Sequence, residues 1–203
     1  MVEALWNMPE RRKWAGGGAD APGIHSICVD PRDGNRVAVA VSSGGVWITP
    51  DCGQIWSPHT KGMRADYAPP ELVEAPESQD PHRLVQCPAA PDTAWFVPAI
   101  KDERRIPAEG QVVVNRTHDG GRTFETLRQG LPQAWAYDLV YRHALDLVAT
   151  GERLAFGSTT GSVWISENGG DAWLTLAEHL PPVHAVLFSI GKGVPPEARS
   201  PRE

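Results

Sequence analysis

The chain has 203 residues and a mass of 22.1 kDa, the size of one ordinary domain with its own hydrophobic core. Glycine and proline together supply 39 residues and hydrophobic types supply 41%, a mixture too apolar for disorder and too rich in turn formers for a helical bundle. The formal net charge is -6, whereas proteins that bind nucleic acids need a basic surface to contact the phosphates. We therefore expect no nucleic-acid partner.

The first thirteen residues carry five charged side chains and contain no apolar stretch, and the longest apolar run elsewhere is about 37–41. This pattern predicts neither a signal peptide nor a membrane span, and so no membrane partner. The three cysteines, Cys28, Cys52 and Cys87, contain no Cys-x-x-Cys pair, which favours a reducing compartment. We therefore expect a cytoplasmic protein without a structural metal or a cofactor.

Short strands separated by turn formers follow along the chain in three successive units. We expect the strands at 25–29, 36–41, 45–49 and after Trp56; at 82–87, 94–97, 112–116 and after Phe124; and at 137–142, 153–157, 162–166 and after Trp173. A further strand at 183–190 is expected to begin a fourth unit. The predicted units span about 23–63, 82–131 and 135–180 of a single domain, 1–190, and we expect a disordered tail at 191–203.

One motif, Ser/Thr-x-Asp/Asn-x-Gly-x-x-Trp/Phe, closes the third strand of every unit. A short carboxylate or amide accepts hydrogen bonds from the backbone of its own turn, and glycine supplies a positive φ, so the motif predicts a tight hairpin with a structural role. The aromatic residue is expected to pin this hairpin to the sheet, buried between strands. The motif residues are Thr49, Asp51, Gly53 and Trp56; Thr117, Asp119, Gly121 and Phe124; and Ser166, Asn168, Gly170 and Trp173.

These residues resemble the Asp-box, or bacterial neuraminidase repeat, of sialidases and related β-propellers. The resemblance implies an all-β fold of four-stranded antiparallel blades, with the boxes on outer hairpins away from the axial ligand site. Stretches at 14–20, 22–33, 44–47 and 79–83 are also similar to a bacterial group of soluble propellers, labelled sialidase-like or glycosyl-hydrolase-like. Members of that group are longer, so the chain resembles a shortened member over about residues 4–188.

The spacing of the motifs is irregular. Thr117 and Ser166 are 49 residues apart, whereas Thr49 and Thr117 are 68 apart. Propellers have roughly 4–8 blades, so about three and a fraction blades form an incomplete ring. Unpaired blade edges attract other strands, and we expect the chain to self-associate through them.

Candidate ligand-binding residues lie where the inner strands begin. His25, His82 and His184 open three of these strands, with Tyr137 or Asp138 at the comparable place in the third unit. We expect the three imidazoles at one end of neighbouring strands, where they either pack against backbone groups or bind an anion or a metal. The long loop 58–83 either caps this end or is a solvated excursion. It contributes further candidates: Arg64, Tyr67, Asp80 and Arg83.

Three functions remain open. The leading hypothesis is a non-catalytic ligand-binding or scaffold module, whose partner is an anionic or carbohydrate small ligand; 15 arginines against 4 lysines favour two-point recognition of anions. The first alternative is a sialidase-like glycoside hydrolase, exo-acting on sugars, and the second is a degenerate fragment without activity. Hydrolysis needs two carboxyls about 5–10 Å apart, and the sequence assigns no such pair among its 25 acids, so no catalytic residue is named.

Overall fold

The computed structural model describes residues 2–14, 20–41, 44–59, 80–99, 106–141 and 143–189. These residues form three four-stranded antiparallel sheets in which neighbouring strands follow one another in the chain. The predicted all-β architecture of four-stranded antiparallel units is therefore confirmed. The first sheet contains β1 (Ile24–Asp30), β2 (Asp33–Val41), β3 (Gly45–Thr49) and β4 (Ser57–Pro58); the second contains β5 (Asp80–Gln86), β6 (Ala94–Ala99), β7 (Val114–Thr117) and β8 (Glu125–Leu127); the third contains β9 (Leu145–Leu147), β10 (Leu154–Gly157), β11 (Val163–Ser166) and β12 (Leu174–Ala177).

In the residues that the structure describes, helical structure is limited to short segments. The helix α1 (Val2–Trp6) and a 3-10 turn (Pro9–Lys13) precede the first sheet, and another 3-10 turn (Ala108–Gly110) lies between β6 and β7. Within the part of the chain that the structure describes, no helix is long and apolar enough to cross a membrane.

Successive side chains of β2 point to opposite faces of the first sheet, so the strand contributes to two separate clusters of buried residues. Val37, Val39 and Val41 pack toward α1, in a cluster with Leu5 and Trp47. The intervening alanines, Ala38 and Ala40, pack toward the second sheet, in a cluster with Val46, Ala94 and Phe96. On one face of the first sheet α1 therefore covers β2 and β3, and the second sheet packs on the other face.

The second and third sheets share the largest core. Trp95, Val114, Phe156, Trp164 and Trp173 belong to one cluster of buried side chains from both sheets. Phe156 meets the Trp164 ring at 5.0 Å between centroids and the Trp173 ring at 4.9 Å. The prediction that Trp56 and Trp173 are buried is confirmed, at 6% and 2% exposure.

The first strands of the sheets, β1, β5 and β9, lie side by side, and we call them the inner strands. A sheet of four antiparallel strands returns the chain to the end at which it entered, so every inner strand begins at the same end of the molecule. We call this end the top face. The connection from β8 to β9 crosses it.

The third inner strand differs from its prediction. The sequence placed it at 137–142, but the strand is β9, which pairs with β10 through Leu145 and Phe156. Residues before it are drawn away from β10, because Leu139 exchanges hydrogen bonds with Thr159 and the Ala144 amide closes a turn on the Tyr141 carbonyl. The extended segment that looked like a strand is therefore a crossing over the top face.

The segment 183–189 forms no ladder of its own. Ala185 makes a single parallel bridge with His143, and the Val183 amide donates to the Ser158 carbonyl at 3.0 Å. Val183 also packs on Gly157, where a Cβ would collide with it. The segment thus lies against the third sheet, on the face that looks away from the second. The predicted tail at 191–203 lies outside the described residues.

Candidate functional site

The three motif turns, which we call box turns (49–56, 117–124 and 166–173), share one hydrogen-bond pattern. In the first, the Thr49 hydroxyl donates to Asp51 Oδ1 at 2.8 Å and accepts from the Gly53 amide at 2.7 Å. Thr117 does the same with Asp119 and Gly121, and Ser166 with Asn168 and Gly170. All three closing glycines have positive φ, of 88°, 85° and 94°.

The acidic side chains of the box turns are occupied by their own backbone. A hydrogen bond from the Ile55 amide lowers the pKa of Asp51. Burial raises the pKa of Asp119, but hydrogen bonds from the hydroxyl and amide of Thr123 outweigh it and hold the pKa at about 2. These carboxylates accept hydrogen bonds that close their own turns, which is a structural role.

Each of the last two box turns is also held by the preceding sheet. The Gly169 carbonyl accepts from the Trp95 indole and the Arg116 guanidinium, both at 2.8 Å. Arg116 also pairs with Asp171 at 2.7 Å. The Gly120 amide donates to the Asp92 carbonyl of its own sheet at 2.8 Å, and the Asp92 carboxylate pairs with Arg36 of the first sheet at 3.4 Å. The box turns therefore join adjacent sheets at the outer part of the molecule.

A groove of about 500 Å³ runs between the inner strands, and we call it the inner groove. Polar side chains from all three strands line it, among them His25, Gln86 and Asp146. Apolar residues lie between them, so the wall alternates in character. Asp146 Oδ2 accepts a hydrogen bond from the Phe188 amide at 2.7 Å, which ties the segment 183–189 to this wall.

Two exposed aromatic side chains lie on the top face, in the crossing from β8 to β9. Trp135 is 85% exposed and has a φ of 54°, which a non-glycine residue rarely adopts. Its neighbour Ala136 is buried and donates its amide to the Gly110 carbonyl at 3.0 Å, which fixes the backbone beneath the indole. Tyr137 is 62% exposed.

A hydroxyl and carboxylate cluster follows directly in the chain. The buried Ser158 hydroxyl donates to Asp138 Oδ1 at 2.8 Å, and Thr160 donates to the same oxygen. The loop between β10 and β11 supplies both hydroxyls. The cluster therefore joins this loop to the crossing that carries Trp135, and it adds polar groups beside exposed aromatic ones.

The structure describes the side chains of two predicted histidines, and His184 does not open a strand as expected. His25 lies in β1 at the start of an inner strand and lines the inner groove. His184 lies beside the third inner strand and stacks on Tyr141, with ring centroids 5.2 Å apart and planes 10° apart. That these imidazoles form one ligand site stays a prediction.

Other predicted residues fall where side chains are not described. Arg64 and Tyr67 lie outside the described residues. For Asp80, His82 and Arg83 the structure gives the backbone of β5 only. In the described ranges, no group of three or more His, Cys, Asp or Glu side chains is arranged to hold a metal ion.

Sequence reasoning missed two residues of the top face. His143 precedes β9 as His25 opens β1, and both are followed by apolar residues two and four positions on. That repeated pattern was a usable signal for the third inner strand. Trp135 gave no such signal, because its exposure and its positive φ depend on how the crossing is held.

Comparison with known proteins supports the architecture. No protein-family model matches the sequence, and no curated protein matches it. Among solved structures, the chain is similar to the GH74 xyloglucanase from Xanthomonas campestris, with a TM-score of 0.53 and 18% identity over 74% of this chain and 20% of that one. An ancestral GH74 enzyme gives 0.51 and 18%, over 74% and 18% of the two chains. YCF48 from Cyanidioschyzon merolae gives 0.48 and 18%, over 78% and 38%.

The GH74 enzymes are β-propeller proteins, so the chain has a propeller-type fold with three blade-like sheets. It spans about a fifth of the length of the two GH74 enzymes that it matches. At 18% identity the likeness establishes the fold alone. The sialidase-like and Asp-box assignment continues to rest on the sequence resemblance.

Proposed function

We propose that the chain is a non-catalytic carbohydrate-binding module that holds a sugar against Trp135 on the top face. The observation that carries this proposal is the exposed indole of Trp135 on a backbone held at positive φ. A non-glycine residue at positive φ costs about 1–3 kcal/mol and persists only where the surroundings enforce it. The buried Ala136 and its hydrogen bond to Gly110 supply that enforcement.

Carbohydrates suit the chemistry of this surface. A sugar ring presents an apolar face of C–H groups and a rim of hydroxyls, so it needs a flat aromatic surface beside polar partners. Trp135 and Tyr137 supply aromatic surface, since indole and phenol rings are amphipathic and rigid. The half-buried Asp138 and the exposed Thr160 supply a carboxylate and a hydroxyl, and the buried Ser158 hydroxyl holds Asp138 in place.

The inner groove also has the size and the lining of a carbohydrate site. Its volume of about 500 Å³ lies within the range of small-molecule sites, roughly 300–1,000 Å³. Its lining alternates between polar side chains such as Gln86 and apolar ones such as Val85. An oligosaccharide bound at the top face therefore has a second compatible surface along the inner strands.

The number and the hydrogen bonds of the carboxylates in the described residues favour a binding role over hydrolysis. Glycoside hydrolysis takes two carboxyls about 5–10 Å apart across the scissile bond. Among the described residues that line the inner groove, Asp146 is the one carboxylate, and a backbone amide occupies one of its oxygens. Asp138 is engaged by two hydroxyls.

The test is a binding titration with a panel of soluble glycans. Xyloglucan oligosaccharides come first, because the similar solved structures include a xyloglucanase, and sialosides second, because of the sequence resemblance. We expect a member of the panel to bind and Trp135→Ala to weaken it at least tenfold. The matched control is Trp6→Ala, which removes another exposed indole, on α1, and should leave the affinity unchanged.

Two results would overturn the proposal. One is the absence of binding across the panel, or equal loss of affinity in both tryptophan variants. The other is turnover of fluorogenic glycosides that disappears in Asp138→Asn or Asp146→Asn, which would make the protein a hydrolase.

A further inference from the structure

We propose that two copies of the chain close one propeller-type ring, with the first sheet of each copy packed on the third sheet of the other. This inference concerns assembly and does not depend on the sugar site at Trp135, although two of its residues, Ile27 and Val29, also line the inner groove. It rests on where the structure leaves large apolar side chains exposed.

Eleven large hydrophobic side chains are exposed among the described residues, and eight of them lie on two surfaces. We call these the leading surface and the trailing surface. The leading surface is the face of the first sheet that looks away from the second, together with α1; the trailing surface is the corresponding far side of the third sheet. The leading surface exposes Trp6, Ile24, Ile27 and Val29, and the trailing surface exposes Leu174, Leu176, Leu180 and Leu187.

The leading surface is apolar because β1 continues a face that α1 covers only in part. Ile27 and Val29 pair with Val39 and Val37 of β2, whose side chains are buried under α1. Ile27 itself remains 65% exposed. Soluble monomers rarely leave a row of aliphatic side chains on one strand in water, so this surface has the character of an interface.

The trailing surface is formed by the strands and the segment that follow the third core. Leu174 pairs with Ile165 on the face opposite the Phe156 core, and Leu176 follows on the same side of β12. Leu187 lies in the segment 183–189, beside the third inner strand. Each surface therefore exposes an apolar residue next to the inner strands: Ile27 on the leading surface and Leu187 on the trailing surface.

The sheets already in contact show what such surfaces pack against. Phe96 of the second sheet meets the Phe124 ring at 5.5 Å and packs on Ala40 and Val46 of the first. Each sheet thus presents one face to the sheet before it and the other to the sheet after it. The leading and trailing surfaces are the two faces of this series that no described sheet covers.

A second copy is the occupant that fills both surfaces at once. Two copies bring six sheets, which falls within the roughly 4–8 blades of closed propellers. The leading surface of one copy meets the trailing surface of the other, and the two-fold arrangement repeats this contact, so a heterologous interface closes. A different partner on one surface would leave the other exposed.

The first experiment is the mass in solution by light scattering and sedimentation across a range of concentrations. We expect a dimer for the natural chain and a monomer for Ile27→Lys. Ile55→Lys is the matched control, since Ile55 is 66% exposed on the first box turn, outside both surfaces, and it should stay dimeric. A natural chain that is monomeric throughout, or equal disruption by both variants, would overturn the proposal.

A mixing experiment tests the head-to-tail geometry and guards against variants that misfold. Ile27→Lys and Leu187→Glu should each be monomeric alone and should form a dimer when mixed, because one natural contact and one Lys–Glu contact then close the ring. Dimers that survive Leu187→Glu would show a contact between two leading surfaces instead. Loss of the dimer in the mixture, with both variants folded by circular dichroism, would also contradict the inference.

Discussion

Replacing Trp173 by alanine should destabilise the chain by about 3–5 kcal/mol, the range observed for deleting a buried aromatic side chain. Trp173 is 2% exposed and lies in the core that the second and third sheets share. Its ring meets Phe156 edge-on at 4.9 Å. Its backbone amide donates to the Gln129 carbonyl at 2.9 Å, so the third box turn is fixed to the second sheet at this residue.

The magnitude follows from the buried area. A tryptophan buries roughly 250 Å², which at about 25 cal/mol/Å² is worth about 6 kcal/mol as an upper value. Alanine retains part of that burial, and relaxation of the sheets around the cavity recovers a little more. The edge-on contact with Phe156 adds about 1 kcal/mol to the loss, so 3–5 kcal/mol is the net expectation.

Thermal unfolding followed by circular dichroism measures the effect. For a domain of this size, 1 kcal/mol shifts the midpoint by roughly 2–4 °C, so we expect Trp173→Ala to melt about 10 °C lower. Trp135→Ala is the control, because its indole is 85% exposed, and it should melt close to the natural chain. An unchanged melt for Trp173→Ala, or equal shifts in both variants, would refute the packing of the third box turn.

Two further predictions concern the box turns. Cys52 has a φ of 59° where the other turns place Gly120 and Gly169, so Cys52→Gly should raise the free energy of urea unfolding by about 0.5 kcal/mol, and a decrease would contradict strain at this position. Asp119 has a folded pKa of about 2, below its unfolded value, so its carboxylate stabilises the fold above about pH 4 and loses that effect as the pH falls toward 2. In Asp119→Asn the free energy of unfolding should fall less steeply between about pH 4 and pH 2. An unchanged pH dependence would show that Asp119 does not contribute to it.

Local sequence patterns predicted the hairpins because the interactions that form them are local. Alternating apolar residues and the box motif place β3 at Gly45–Thr49, as expected, and the Thr49–Asp51–Gly53 turn follows from side chains within five positions. Each box turn needs only its own hydroxyl, its own carboxylate or amide and one glycine. Such features are readable from a single sequence.

Features that depend on distant contacts were not predictable in the same way. The third inner strand was misplaced because residues 137–141 are as apolar as a strand, yet Leu139 exchanges hydrogen bonds with Thr159 and the Tyr141 carbonyl accepts from the Ala144 amide. The N-terminal tryptophans also depend on distant contacts. Trp14 packs on Trp47 with ring centroids 5.4 Å apart, whereas Trp6 is exposed and stacks with Arg11.

The measurement that tests binding at the top face most directly is the ¹H–¹⁵N spectrum of the eight tryptophan indoles during titration with xyloglucan oligosaccharides. Stacking a sugar on an exposed ring changes the environment of its N–H, whereas a buried ring is shielded from the ligand. We predict that the Trp135 resonance shifts in a saturable way while those of Trp6 and Trp173 stay in place. A titration in which no indole moves, or in which Trp6 moves and Trp135 does not, would contradict a sugar site at the top face.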